Sequence, residues 1–338
     1  MTTTSSPSTL PTTMRALEQH GYGQAKAVLH ERTRPVPTPG RGQVLVRVEA
    51  VSPDSGTIHL MTGSPRMVRP VIGLRTPRQP VPGLALAGRV VALGAGVTGI
   101  TLGDRVAGTA SGAFAEYAVA SATKLATIPE GVSMTDAAAA PVSYATALQT
   151  VQDAARVQPG QRVLVIGAGG GVGAAVVQFA KRAGAEVTAV ASARKRAFVE
   201  GLGVARFIDY RVESTPAAWG TFDVVIDMAD GRPLHVLRRA LTPRGTLVIV
   251  GADGVGGPIL EGFDRQMRLP LVNLFVSQRL VAVVQKEIGD TVSSVLEALA
   301  NGSFRSTVTS IRPFAEATSA IDAIAAKDIA GKVVVTVP

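Results

Sequence analysis

The segment Gly167-Ala168-Gly169-Gly170-Gly171-Val172-Gly173 links an apolar run, RVLVIG, to a stretch with helical apolar spacing, GVGAAVVQFAKRAG. Between a buried strand and a helix, backbone without side chains lets a diphosphate approach closely. The first N–H groups and the positive end of the helix then receive its charge. The spacing Gly167, Gly170, Gly173 departs from the strict GxGxxG pattern, so the loop alone is weak evidence. The strand, helix and second strand around it make dinucleotide binding the expected chemistry. Gly167, Gly169, Gly170, Gly171, Val172 and Gly173 are the expected contacts.

The end of the second strand, EVTAVA, bears on which dinucleotide. A carboxylate there accepts from ribose hydroxyls and repels a 2′-phosphate. The chain instead runs into Ala191-Ser192-Ala193-Arg194-Lys195-Arg196, with no acid and three cations. If this is more than a solvated helix start, hydroxyl and cationic donors suit a 2′-phosphate, and the cofactor is NADPH.

These residues need a scaffold. From Arg162 onward strand-like and helix-like segments alternate: RVLVIG, a helix, EVTAVA, a short helix, RFIDY, FDVVIDMA, a helix around Leu234 to Leu241, and GTLVIVG. That alternation implies parallel βαβ units with helices on both faces. From Gln43 to about Arg156, short β-branched runs are broken by Gly and Pro, which predicts an irregular β-barrel. Thr57 to Pro82, rich in Arg and Pro, reads as a long loop, and GKVVVTVP as a closing strand that returns to the first domain. Residues 1–13, rich in Thr, Ser and Pro, read as a disordered leader.

Composition narrows the class. The 338 residues suffice for two domains, and 46% hydrophobic with 17% charged residues argues against long disorder. The absence of cysteine excludes disulfides, thiolate nucleophiles, and Cys-based zinc or iron–sulfur sites. The four histidines, His20, His30, His59 and His235, are scattered. The most apolar stretch, Leu269 to Gln285, is interrupted by polar residues and is too broken to span a membrane, so a cytoplasmic enzyme is expected. The net charge of +9 favours an anionic partner, but the basic residues are spread and aromatics are only 4%, so nucleic acid is not expected.

The strings VLVRVEAVS, PGLALAGRVVALG, GDRVAG, GAFAEYAV, PVSYATAL, VLVIGAGGGVGAAVVQFAK, GTLVIVG and GKVVVTV resemble the medium-chain dehydrogenase/reductases, specifically the zinc-free quinone oxidoreductase branch, over roughly residues 14–338. The resemblance implies an α/β protein. A Rossmann doubly wound parallel sheet (residues 140–299) would bind NADPH, and a GroES-like β-barrel catalytic domain (14–139 and 300–338) would enclose the active site with it. It implies a lysine and, fifteen residues later, a tyrosine on the cofactor phosphate, matched by Lys195 and Tyr210, with Ser192 and Arg194 completing that pocket. Thr146 and Lys332 would contact cofactor, and Val250 and Gly251 would lie under the nicotinamide ribose. Tyr144 is a candidate proton donor, and Asp54 and His59 would line the substrate pocket. Pairing through Rossmann edge strands implies a homodimer.

Zinc-dependent relatives carry a cysteine after the first barrel strand and Gly-His-Glu further on. Here those places read Val51-Ser52-Pro53-Asp54 and Gly83-Leu84-Ala85, so no metal is expected. The tyrosine some members place beyond the first loop is missing from Met61 to Pro65. The expected reaction is hydride transfer from NADPH to a small molecule, a quinone or an α,β-unsaturated carbonyl. The alternatives are an alkene reductase tailoring a specialised metabolite or lipid, and a non-catalytic NADPH- or RNA-binding relative.

Overall fold

The computed structural model describes residues 10–213, 215–229, 231–251, 259–260 and 263–338. The first nine residues of the expected leader lie outside them. Strand β1 (Thr13–Gln19) pairs antiparallel with β2 (Leu29–Pro35). Next comes β3 (Gln43–Ser52), whose Val44, Leu45, Val46, Val48, Ala50 and Val51 are all buried, because both faces are covered. It is followed by β4 (Ala85–Leu93), β5 (Arg105–Thr109), β6 (Tyr117–Ser121) and β7 (Leu125–Thr127).

The long loop expected between β3 and β4 is corrected at its start: Ser55–Thr62 is a helix. Asp54 caps it, its Oδ1 accepting from Thr57 N at 2.8 Å, and Gly63 ends it in the left-handed conformation at φ 63°. After β7 a helical run from Met134 to Ala155, with Ser133 as its cap, carries the chain into the second sheet.

That sheet contains β8 (Arg162–Ile166), β9 (Glu186–Ala191), β10 (Arg206–Asp209), β11 (Phe222–Asp227), β12 (Leu241–Val250) and β13 (Arg279–Val283), all parallel, in the order β10-β9-β8-β11-β12-β13. This is the doubly wound 3-2-1-4-5-6 arrangement, with its switch point beside β8. Alternate residues feed two cores: Val163, Val165, Val224 and Ile226 on one face, Leu164, Ile166, Val225 and Leu247 on the other. The helix expected around Leu234 to Leu241 stops at Arg238, since Leu241 already begins β12.

The chain then returns as β14 (Val308–Pro313) and β15 (Lys332–Thr336), which join β3 in a seven-stranded sheet. The return brings Lys332 to the glycine loop: Gly331 N donates to Gly169 O at 3.1 Å, and Gly170 and Gly331 form a parallel bridge.

Candidate dinucleotide site and cleft

The helix Gly171–Arg182 begins at Gly170, directly after β8. Gly167 has φ 90°, which a side chain would strain, and a Cβ at Gly173 would stand 2.2 Å from Gly167 O. These two glycines let the helix sit tightly on the strand. Gly169 and Gly171 are small for another reason: a Cβ there would meet Lys195 Cδ at 2.6 Å and Lys332 Cδ at 2.3 Å. Only Gly170 is sterically open, its nearest neighbour being Gly167 O at 3.6 Å. The reading of every glycine as room for a diphosphate is thus refined: two of them admit the alkyl chains of lysines that flank the helix N-terminus.

At the end of β9, Ser192 is buried and Lys195 Nζ donates to Ile329 O at 2.6 Å. Burial pushes the Lys195 ammonium below the usual lysine pKa, and Arg194 and Lys327 push it further down while Asp328 opposes them. Exposed Arg194 is held by Asp328 at 3.2 Å. Because β10 pairs with β9 through Asp209 and Ala191, Tyr210 follows on directly beside Ser192, with its side chain exposed. The register therefore brings Ser192, Arg194, Lys195 and Tyr210 to one corner of the sheet. An excess of cations is what a doubly charged phosphate neutralises.

Across the loop, Lys332 is 4% exposed and its Nζ donates to Pro53 O at 2.7 Å. Burial pulls its pKa down to about 8, and the Asp54 carboxylate partly offsets this. Asp54 Oδ2 is buried without a hydrogen-bond partner, while Oδ1 caps the helix. His59, on that helix, places Nδ1 3.0 Å from Ser64 O.

Tyr144 is enclosed in the core. Its side chain is fully buried against Phe304, and its oxygen accepts from Thr307 N at 2.9 Å. Thr307 Oγ1 (3.2 Å) and Ser306 Oγ (3.4 Å) lie on the same oxygen, and burial raises its pKa. A phenol enclosed in this way fastens the helix to the strand-β14 segment and has no open face from which to deliver a proton. Thr146, also buried, donates to Val142 O at 2.6 Å. Val250 ends β12, and Gly251, φ 72°, offers its carbonyl to Gln266 Nε2 at 2.6 Å.

Two arrangements escaped the sequence. Asp227, 1% exposed at the end of β11, is ion-paired with Arg265 on the helix Phe263–Asn273, and Arg265 Nε is buried without a partner. Tyr22 lies beside the first loop: its ring fills the space over Gly63, its hydroxyl donates to Gly73 O at 2.5 Å, and Arg69 stacks 4.6 Å from the ring centroid. A tyrosine thus occupies the neighbourhood where the local sequence lacks one, delivered from a distant strand connection. No nearby spacing signals either contact.

A doubly wound sheet with a glycine loop at its switch point, joined to a second sheet that returns a lysine to that loop, is the architecture of an α/β oxidoreductase. Residues 40–130 match the alcohol dehydrogenase GroES-like domain and residues 202–335 the zinc-binding dehydrogenase family. A chloroplast envelope quinone oxidoreductase homolog from Arabidopsis thaliana is 34% identical over 248 residues, 70% of this chain and 74% of that protein. The solved quinone oxidoreductase from Coxiella burnetii superposes with TM-score 0.84 at 26% identity, over 96% of this chain and 100% of that one. A mycobacterial protein solved in complex with NADPH superposes with TM-score 0.79 at 26% identity, covering 96% and 99%. The chain belongs to the medium-chain dehydrogenase/reductase superfamily and is quinone oxidoreductase-like.

The zinc of that second family description does not fit the donor set here. Ser52, in the stretch Val51-Ser52-Pro53-Asp54, is buried with its hydroxyl donating to Val333 O at 3.2 Å. Among the described residues no group of three or more His, Asp or Glu could hold a metal. Nor is any helix among them long and apolar enough to cross a membrane.

Proposed function

We propose that the protein is a zinc-independent, NADPH-dependent cytoplasmic reductase of quinones or α,β-unsaturated carbonyls. The observation that carries this reading is the cationic corner at the end of β9, where Lys195 and Arg194 stand with Ser192 and Tyr210 and no carboxylate ends the strand. Those four residues hold the 2′-phosphate. The open backbone at Gly170, the start of the helix Gly171–Arg182 and the Lys332 ammonium hold the diphosphate.

When bound, NADPH supplies hydride to an acceptor carbon, and the electron pair displaced onto the acceptor oxygen is taken up with a proton. The protein contributes alignment and a dry wall. Thr146, Val250 and Gly251 position the nicotinamide end. Asp54 and His59 line the acceptor side. With Tyr144 enclosed, solvent is the proton source.

The chain pairs with a second copy along β13, the last strand of the sheet, which is flanked by exposed Leu271, Leu274, Phe275 and Val284. Sedimentation of the protein and of Val284→Glu tests this; a monomeric wild type rejects it.

The decisive experiment is nucleotide consumption, NADPH against NADH, with a panel of quinones, enones and aldehydes and product identification by mass. Turnover of a quinone or enone with NADPH supports the reading, and a saturated ketone as product selects the alkene-reductase form. Binding of neither nucleotide overturns it.

A further inference from the structure

The chain from Ser55 through Gly103 contains five arginines and no aspartate or glutamate. Four of those arginines, Arg66, Arg69, Arg75 and Arg78, fall between Gly63 and Gln79, a cap that follows the helix Ser55–Thr62. Two are used to build the cap: Arg69 Nε donates to Gly63 O at 2.9 Å and stacks on Tyr22, and Arg78 reaches Pro70 O at 3.4 Å. Arg66 and Arg75 are exposed, and their guanidinium groups make no hydrogen bond or ion pair among the described residues. The cap also touches the second domain, Met67 N donating to Ile259 O at 3.2 Å. The helix that leads into it starts beside Lys332, whose Nζ donates to Pro53 O, and Met67, Val71 and Leu74, all exposed, fall between Arg66 and Arg75 along the chain.

This charge is carried by other elements than the phosphate sites of the cofactor: Arg66 and Arg75 lie between β3 and β4, whereas Arg194 and Lys195 follow β9 and Lys332 opens β15. Arg194 and Lys195 serve the β9 end, and Lys332 serves the loop between. Two unpaired guanidinium groups are thus left over for a ligand other than the cofactor. Guanidinium binds carboxylate and phosphate oxygens through paired N–H donors, and the apolar residues between suit a hydrocarbon body.

We propose that the acceptor reduced by this enzyme is an anion: a quinone or enone carrying a carboxylate or phosphate on an apolar arm, received by Arg66 and Arg75. The proposal rests on the reductase reading above and names its substrate class. Hydride still goes to the ring or alkene carbon; the anionic group binds and does not react.

The test uses matched acceptors, a neutral alkyl quinone and the same quinone with a terminal carboxylate, plus the corresponding enone pair. In the wild type at low salt, kcat/KM for the carboxylate form exceeds that for the neutral form at least tenfold, and the ratio shrinks in 0.5 M salt. In Arg66→Gln/Arg75→Gln the ratio falls to near one. Equal rates for both forms in the wild type overturn the proposal, as does a double variant that loses both substrates in the same proportion. Calorimetric binding of the carboxylate acceptor to the NADPH-loaded protein separates the two readings. Arginine-dependent binding without turnover removes the reductase and keeps the anion site, and turnover without charge preference removes the anion site alone.

Discussion

Lys332 lies along Gly171 so closely that a Cβ at residue 171 would stand 2.3 Å from its Cδ. The last strand, β15, and the glycine loop are therefore fitted to each other. Three of the five loop glycines should respond to alanine in order. Gly173→Ala drives a methyl into the Gly167 carbonyl at 2.2 Å, a backbone atom that cannot step aside, and should cost the most, about 3 kcal/mol or more. Gly171→Ala must displace a buried lysine chain and should cost about 1–3 kcal/mol while weakening NADPH binding. Gly170→Ala, at 3.6 Å from its nearest atom, should cost no more than about 1 kcal/mol. Thermal unfolding checks the ranking, and a Gly170→Ala protein as unstable as Gly173→Ala would refute this account of the loop.

Lys332 also carries a pH signature. Its folded pKa is about 8 against 10.5 for the ordinary side chain. Below pH 8 both states hold the proton and the fold bears the full burial cost. Between pH 8 and 10.5 the unfolded chain keeps the proton and the folded chain releases it, so stability rises with pH across that window. The wild type should therefore gain on Lys332→Met by up to about 3 kcal/mol from pH 7 to pH 10.5, other groups cancelling in the difference. Phosphate binding favours the ammonium, so NADPH affinity should fall above pH 8 in the wild type and stay flatter in Lys332→Met. Denaturant melts and fluorescence titrations at several pH values read both slopes; parallel slopes would mean that Lys332 does not face the cofactor.

Much of this was legible because it is local. The βαβ alternation, the glycine loop and the cationic run after β9 each sit within a few residues of one another, and period and punctuation report them directly. What stayed hidden depends on long-range placement. The burial of Tyr144 comes from Phe304 and Thr307, and the identity of Gly171 from a lysine near the other end of the chain. The helix at Ser55–Thr62 was concealed by the surrounding Pro and Arg, although Asp54 and Gly63 are ordinary start and stop signals once read as cap and terminator.

The cofactor assignment turns on Lys195. Its removal to alanine should weaken NADPH by roughly 1–3 kcal/mol, the scale of a charge-assisted hydrogen bond, and leave NADH nearly unchanged. Calorimetric titration with both nucleotides measures this without turnover. Equal losses for the two would place Lys195 away from the 2′-phosphate, holding only Ile329 O.

Asp227 and Arg265 form the pair whose disruption should be felt most in stability. Burial raises the Asp227 pKa, and Arg265, Ala229 N and Arg232 oppose the rise by favouring the carboxylate. Removing one partner leaves a buried charge uncompensated, which costs about 3–5 kcal/mol, whereas removing both replaces it with apolar contact. Asp227→Ala should therefore destabilise more than the double variant Asp227→Leu/Arg265→Met, because Leu and Met keep volume and leave no orphan guanidinium. Arg265 Nε already lacks an acceptor, so the single variant would strand the whole group. Urea unfolding of the three proteins decides it. If the double variant were the least stable, the pair would contribute net attraction beyond its desolvation, and the helix Phe263–Asn273 would be anchored to β11 by charge rather than by Leu269 in the core.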